Sequence, residues 1–91
     1  MNSLPKALRE YVSLRRSLGF KFLEQERMLR QFLSFMKERG AHRITTPVAL
    51  EWAMLPAQAK PSRWAERLCY VRGFARHLQA EDPGTQVPCH S

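Results

Sequence analysis

Apolar residues recur along this chain at steps of three and four, the spacing of one buried face of an α-helix. In the first segment these residues are Leu4, Leu8, Tyr11, Val12 and Leu18. They predict a helix from about Pro5 to Leu18, because proline is tolerated in a first helical turn and Gly19 suits the end of a helix. No segment of the chain has a convincing strand pattern.

The same spacing predicts a second helix from about Phe22 to Arg39, ended by Gly40. Its apolar face consists of Met28, Leu29, Phe32, Leu33, Phe35 and Met36. At about 100° per residue, the opposite face carries a basic stripe made of Arg27, Arg30, Ser34 and Lys37. Only Glu38 lies near the border of this stripe. The stripe either contacts a ligand or simply meets solvent, and the second helix alone leaves both interpretations open.

Two further helices complete an all-α pattern. Thr45-Thr46-Pro47 has a hydroxyl cap and an early proline, which predict a short third helix from about Pro47 to Met54. After a polar loop, Ser62 is the predicted cap of a fourth helix that reaches about Ala80. The apolar face of this helix consists of Trp64, Leu68, Val71, Ala75 and Leu78. The prediction is a compact bundle of four to five short helices.

Two positions do not fit a simple helical pattern. Arg15 points into the apolar face of the first helix, either with its stem along the core edge and its guanidinium in water, or as an anion contact. Gly73 lies in the middle of the fourth helix, where glycine costs about 1 kcal/mol relative to alanine. We expect it to mark either tight packing between helices or the close approach of a ligand.

Length and charge restrict the class of protein. A chain of 91 residues forms one small domain, which excludes a two-lobed enzyme. An apolar fraction of 44% is too high for a disordered basic tail, and the formal net charge is +7. Residues 1–43 carry ten basic and four acidic side chains, against five and four in the remainder. This excess favours a polyanionic partner: nucleic acid, an anionic membrane or an acidic protein.

The search for other chemistry is largely negative. No apolar run is long enough to span a bilayer, and the N-terminal residues lack a signal peptide, so we expect a cytoplasmic protein. We also expect no membrane partner, because the apolar faces of the helices are needed for the core and no helix pairs a free apolar face with its basic one. Cys69 is expected to be a buried thiol and Cys89 a free thiol in the tail. The cysteines and histidines do not have zinc-site spacing, and no glycine-rich phosphate loop or carboxylate pair is visible. We expect no metal, no cofactor and no small-molecule substrate.

Four stretches of the chain together carry a family resemblance. They are Tyr11-Val12-Ser13-Leu14-Arg15-Arg16-Ser17-Leu18-Gly19-Phe20-Lys21, Leu29-Arg30-Gln31-Phe32-Leu33-Ser34-Phe35, Arg67-Leu68-Cys69-Tyr70-Val71-Arg72-Gly73-Phe74-Ala75-Arg76, and Asp82-Pro83 with Val87-Pro88. Their order and spacing resemble the N-terminal core-binding domain of tyrosine recombinases, the phage integrase family. The resemblance covers about Leu4 to Pro88 and implies a SAM-like helical module that packs on one face of duplex DNA.

The resemblance also implies which residues contact the DNA. In such a module the second and fourth helices lie against the major groove and the neighbouring phosphates. Carried over residue by residue, this implies contacts from Lys21, Arg27, Arg30, Lys60, Ser62, Arg63 and Arg67. The basic stripe adds Ser34 and Lys37, and Arg43 completes the predicted DNA-binding set.

The chemistry of this family is expected to lie elsewhere. Its tyrosine nucleophile, two arginines, a histidine or tryptophan, and a lysine look to belong to a C-terminal catalytic domain that this sequence lacks. The two tyrosines, Tyr11 and Tyr70, both fall in predicted helices of the binding module. We therefore expect residues 1–82 to form a DNA-binding domain that does not cleave strands, and residues 83–91 to be the remnant of an extended linker. The last residues, Cys89-His90-Ser91, indicate a truncation, a frameshift or an engineered boundary.

A second functional hypothesis is a small basic helical module that binds protein. Its partner is an acidic protein, or full-length recombinase subunits that it inhibits. Exposure of Trp52, Phe20 or Phe22 favours this hypothesis, whereas their burial leaves the basic surface as the main site. For the first hypothesis the partner is double-stranded DNA, with association to the nucleoid when bound.

Overall fold

The computed structural model describes residues 4–80 and 83–87. It contains four helices: α1 (Leu4–Ser17), α2 (Leu23–Glu38), α3 (Thr46–Ala53) and α4 (Pro61–Gln79). Within the described residues there is no β-strand. The predicted all-α bundle is confirmed, and its helix bounds agree with the sequence pattern to within two residues.

Helices α2 and α4 lie against each other at the centre, and α1 and α3 each pack against both of them. The largest fully buried side chains come from α2, α3, α4 and the segment between α2 and α3: Trp52, Phe32, Phe74, Leu29, Met36, Ile44 and Val71. The rings of Phe32 and Trp52 lie 5.1 Å apart, which joins α2 to α3. The radius of gyration is 12.5 Å, about that of a compact domain of this length.

The turn between α1 and α2 uses two residues with positive φ. Gly19 ends the first helix at φ 99°, as predicted, and Phe22 is the N-cap of α2 at φ 60°. A left-handed conformation costs a non-glycine residue on the order of 1–2 kcal/mol. The Phe22 ring meets the ring of Tyr11 edge-on, with centroids 5.5 Å apart, and this contact offsets part of the strain.

Three local predictions are wrong. Leu18 is exposed rather than part of the apolar face, because α1 ends at Ser17 and the chain turns away there. Ser62 does not cap α4: Pro61 already occupies the first helical turn, so the N-cap is Lys60. Cys69 is an exposed free thiol, on the side of α4 away from its buried residues. By contrast, Thr45 caps α3 as predicted, its hydroxyl accepting a hydrogen bond from the Val48 amide at 3.5 Å.

Arg15 and Gly73 both contribute to the packing of α1. The Arg15 guanidinium lies 5.2 to 5.9 Å from the ring centroids of Tyr11, Phe20 and Phe22, so it is surrounded by aromatic rings rather than extended into water. A Cβ atom at Gly73 would lie 2.8 Å from the Tyr11 hydroxyl oxygen. Gly73 therefore marks the tight packing of α4 against α1.

Residues 83–87, which were predicted to be an extended linker, form no helix or strand and lie against the helical body. Thr85 is buried, and the Gln86 amide donates to the carbonyl of Ile44 at 2.8 Å. The Gln86 side-chain oxygen accepts from the Thr46 amide at 2.9 Å, so this segment supports the start of α3. The rest of the predicted linker, residues 88–91 with Cys89, lies outside the described residues, as do residues 81–82. The division of the chain at residue 82 stays a prediction.

Candidate nucleic-acid interface

The basic stripe lies on the exposed face of α2, as its spacing predicts. All four of its residues are exposed, and the buried residues of α2 (Met28, Leu29, Phe32 and Met36) lie on the other side of the helix. The side chains of Arg27 and Arg30 are 64% and 66% accessible. From Arg27 to Lys37 the stripe extends along about 15 Å of helix axis.

The stripe is not free of acidic residues, contrary to the sequence pattern. Glu24, in the first turn of α2, receives a hydrogen bond from Arg27 at 2.7 Å and one from Arg63 of α4 at 3.4 Å. These bonds, first from Arg27 and then from Arg63, lower the pKa of the Glu24 carboxyl below its usual range. Glu24 thereby connects the stripe to the N-terminal turn of α4.

A second carboxylate connects the stripe to α1. Glu26 accepts from Arg16 of α1 at 2.6 Å and from Arg30 at 2.9 Å. Partial burial raises the pKa of Glu26, but the hydrogen bonds from Arg16 and Arg30 outweigh it, and the net shift is downward. Both carboxylates are therefore ionised at neutral pH, and each forms ion pairs with two arginines.

The start of α4 contributes three of the predicted DNA contacts. Lys60 and Ser62 are exposed, and Arg63 is half-buried between Glu24 of α2 and Glu66 of its own helix, which it contacts at 2.6 Å. The hydrogen bond to Glu24 is the main cause of a raised pKa for Arg63. Through Arg63, the stripe and the first turn of α4 form one continuous surface.

Arg67 has a different environment from the other predicted contacts. It is only 7% exposed, and its guanidinium carbon lies 3.9 Å from the centroid of the Trp52 ring. One of its terminal nitrogens donates to the Trp52 carbonyl at 2.9 Å, the other contacts the Met28 sulfur at 3.7 Å, and its Nε has no hydrogen-bond partner among the described residues. Burial, and then the charge of Arg63, lower the pKa of Arg67. DNA contact by Arg67 stays a prediction that this burial does not favour, and we define the candidate surface without it.

The two remaining members of the predicted set lie outside the helices. Lys21 is exposed in the turn before α2, where its carbonyl accepts a hydrogen bond from Arg16 at 3.1 Å. Arg43 is exposed between α2 and α3, and its guanidinium lies 2.7 Å from the position that a Cβ of Gly84 would occupy. Arg43 therefore lies beside the segment 83–87.

Other kinds of site have little support among residues 4–80 and 83–87. No group of three or more histidine, cysteine, aspartate or glutamate side chains is arranged to hold a metal ion there. In the same part of the chain, no helix is long and apolar enough to cross a membrane. The Tyr70 hydroxyl donates to Glu66 at 2.6 Å, and burial together with this bond raises its pKa to about 12. This phenol is therefore protonated at neutral pH.

Three residues of this surface were not predicted from the sequence: Arg16, Glu24 and Glu26. Two of the three had a readable signal, because Glu24 to Arg27 and Glu26 to Arg30 have the three- and four-residue spacing of helical ion pairs. The contacts of Arg16 and Arg63 with these carboxylates join different helices, and sequence spacing carries no signal for them.

The chain is similar to a protein named as a recombinase. It is 49% identical over 88 residues to "Putative integrase/recombinase y4rB" of Sinorhizobium fredii (strain NBRC 101917 / NGR234). This similarity supports a relationship between the chain and the integrase family. The alignment covers 97% of this chain but only 28% of the relative, so the chain spans just over a quarter of that protein. No protein-family model and no solved structure matches the chain.

Proposed function

We propose that this chain is the DNA-binding, core-binding domain of an integrase or site-specific recombinase of the tyrosine recombinase class. It contacts duplex DNA through the basic stripe of α2 and the first turn of α4, and it does not cleave strands by itself. The observation that carries the proposal is the continuity of this surface. Glu24 contacts both Arg27 of α2 and Arg63 of α4, so that cations of two helices lie side by side on one surface.

The dimensions of the surface suit a nucleic-acid backbone. The stripe extends along about 15 Å of helix, and duplex DNA carries a phosphate on each strand about every 3.4 Å of its axis. Four or so phosphates of one strand therefore lie within reach of the stripe. The exposed hydroxyl groups of Ser34 and Ser62 add neutral donors, which position a protein on DNA without reading its sequence.

The similarity to a named integrase/recombinase supports the same proposal from another direction. Such an enzyme must hold duplex DNA, and a basic surface that joins two helices of the matching region is suited to this task. In this proposal strand cleavage belongs to the part of the relative that the chain does not cover. Binding by this domain alone is then weak and fast to dissociate, because it grips only one face of the duplex.

The test is a titration of fluorescent duplex DNA with the folded chain and with the triple variant R27A/R30A/K37A. We expect log K for the chain to fall with log salt at a slope of about −4 to −5, as for four to six phosphate contacts. The variant is expected to bind at least about tenfold more weakly, with a flatter slope and unchanged helicity.

A matched pair of single variants controls for net charge. Lys37 and Arg76 are both exposed and lie in the last turns of α2 and α4. K37A is expected to weaken binding more than R76A, because only Lys37 belongs to the stripe. Equal losses in these two variants, or unchanged affinity in the triple variant, would exclude the stripe as the binding surface.

One observation favours the second candidate, a protein-interaction module. Trp52 is buried and Phe22 is half-buried, but Phe20 is 54% exposed and lines a shallow recess with Leu23 and Arg15. A competition assay separates the two candidates. At equal concentrations of negative charge, unlabelled duplex should displace labelled duplex far more effectively than polyglutamate does. Equal displacement by both would indicate that the chain binds any polyanion. The recess at Phe20 would then be the better candidate for a specific binding site.

A further inference from the structure

Two carboxylates in the first turn of α2 hold four of the arginines that face the proposed partner. Glu24 contacts Arg27 and Arg63, and Glu26 contacts Arg16 and Arg30. Each carboxylate therefore accepts from two guanidinium groups that belong to different helices: α2 and α4 for Glu24, α1 and α2 for Glu26. A phosphate group would use the same donors, because guanidinium binds carboxylate and phosphate oxygens with the same geometry.

We propose that Glu24 and Glu26 limit the affinity of this surface for non-specific duplex DNA, by occupying the arginines that would otherwise neutralise phosphates. This inference rests on the proposed function. A phosphate that reaches the surface must displace a carboxylate from its arginines or remain beside it, and either outcome reduces the gain from phosphate contact. The two arginines of a carboxylate are released only where contacts with the duplex are strong enough to replace both of its ion pairs.

The other cations of the surface differ from these arginines. The side chains of Lys21, Lys37 and Lys60 are exposed, and within the described residues none of them forms an ion pair or hydrogen bond. These lysines are available for the first, loosely oriented encounter with DNA. The surface thus separates free lysines, which attract any duplex, from arginines held by the protein's own carboxylates.

Glu26 is expected to have the larger effect of the two. Its side chain is 19% accessible, against 41% for Glu24, and its two contacts are 2.6 and 2.9 Å long. Ion pairs that are less exposed are less screened by solvent. The second contact of Glu24, to Arg63, is longer at 3.4 Å, so Glu24 competes less strongly with phosphate.

The test compares E24Q, E26Q and E24Q/E26Q with E38Q, each titrated against a duplex of random sequence over a range of salt concentrations. Glutamine keeps the size of the side chain and removes its charge. Glu38 is the matched control, because it lies on the same helix, is exposed and forms no contact with an arginine in the described residues. Thermal unfolding of each variant confirms that it is folded.

The inference predicts that E26Q binds the random duplex about three- to tenfold more tightly than the unmodified chain, with a salt slope steeper by about one. E24Q is expected to show a smaller gain, E24Q/E26Q the largest, and E38Q less than about a twofold gain. A gain in E38Q equal to that in E26Q would reduce the effect to net charge and overturn the inference. Weaker binding by E26Q would also overturn it, since the carboxylates would then only position the arginines.

The proposed function and this inference fail in different ways. If the unmodified chain shows no salt-dependent binding to duplex DNA, the proposed function is wrong. If it binds duplex DNA with the expected salt slope but E26Q and E38Q have the same affinity, the proposed DNA-binding function is supported. The proposed role of the two carboxylates is then wrong.

Discussion

Two arginines of α2, Arg27 and Arg30, and one of α4, Arg67, look alike in the sequence and have opposite environments in the fold. Arg27 and Arg30 of α2 are about two-thirds exposed and pair with carboxylates at the surface. Arg67 of α4 is buried against the Trp52 ring, with a carbonyl and a sulfur atom as its partners and no carboxylate. A basic residue in a DNA-binding module can therefore belong to the core, and its role depends on which face of its helix it occupies.

This difference could have been anticipated for Arg67. It lies three residues after Trp64 and four before Val71, so it occupies the same face as the apolar residues of α4. The planar guanidinium can stack on an aromatic ring, which makes arginine a better core residue than lysine at such a position. Arg63, one turn earlier, lies at the edge of that face, and this places it against Glu24 on the surface.

The largest expected effect comes from replacing Arg67. R67A removes the contact with the Trp52 ring and the hydrogen bond to the Trp52 carbonyl, which keeps only the bond from the Leu55 amide. We expect it to lower the free energy of unfolding by about 2 to 4 kcal/mol. R67K is expected to destabilise the chain less, and R27A by less than about 0.5 kcal/mol. Urea unfolding of the three variants measures this. An R67A variant as stable as R27A would contradict the core role of Arg67.

A smaller effect is expected at the contact between α4 and α1. G73A should gain up to about 1 kcal/mol in helix propensity, but its Cβ would lie 2.8 Å from the Tyr11 hydroxyl oxygen. We expect a net loss of about 1 kcal/mol in the unmodified chain and a gain in a Y11F background, where that oxygen is absent. Thermal unfolding of the unmodified chain, G73A, Y11F and the double variant measures how strongly the effect of G73A depends on the Tyr11 hydroxyl. The same effect of G73A in both backgrounds would mean that Tyr11 is not the cause.

The smallest expected effect concerns pH and the two carboxylates of α2. The pKa values of Glu24 and Glu26 are lowered in the folded chain from the usual value of 4.5. Their pairs therefore stabilise the fold above about pH 4.5, and this stability is lost as the pH falls through the folded pKa values. The melting temperature of E24Q/E26Q should depend less on pH between 5 and 3 than that of the unmodified chain or of E38Q. Parallel profiles for all three chains would show that the pairs do not contribute.

Much of the fold follows from the spacing of apolar residues, because each helix buries one face and is bounded by proline, glycine or a hydroxyl cap. Gly40, at φ 68°, and Thr45 act as predicted at the ends of α2 and α3. The exposed stripe also follows from spacing alone. Contacts between elements could not be predicted in this way, since the pairing of Arg16 with Glu26 depends on how α1 crosses α2.

The segment 83–87 illustrates the same limit. Its composition of proline, glycine and polar residues indicates an extended linker. This composition does not predict the hydrogen bonds of Gln86 with Ile44 and Thr46. The Gln86 side-chain oxygen accepts from the Thr46 amide, which has no partner within α3, and this requirement becomes visible only when the helix has been placed. Local composition therefore predicts the lack of regular structure here but not the packing.

The central claim is that duplex DNA binds to the basic stripe and the first turn of α4. The most direct measurement is a titration of the isotopically labelled chain with a short duplex, followed through its backbone amide NMR signals. The account predicts that the shifts cluster at residues 24–37 and 60–63 and weaken with added salt, while Trp52 and its neighbours in the core stay unchanged. Shifts centred on the exposed apolar residues of α3 and its C-terminal end, Leu50, Met54 and Leu55, would contradict it.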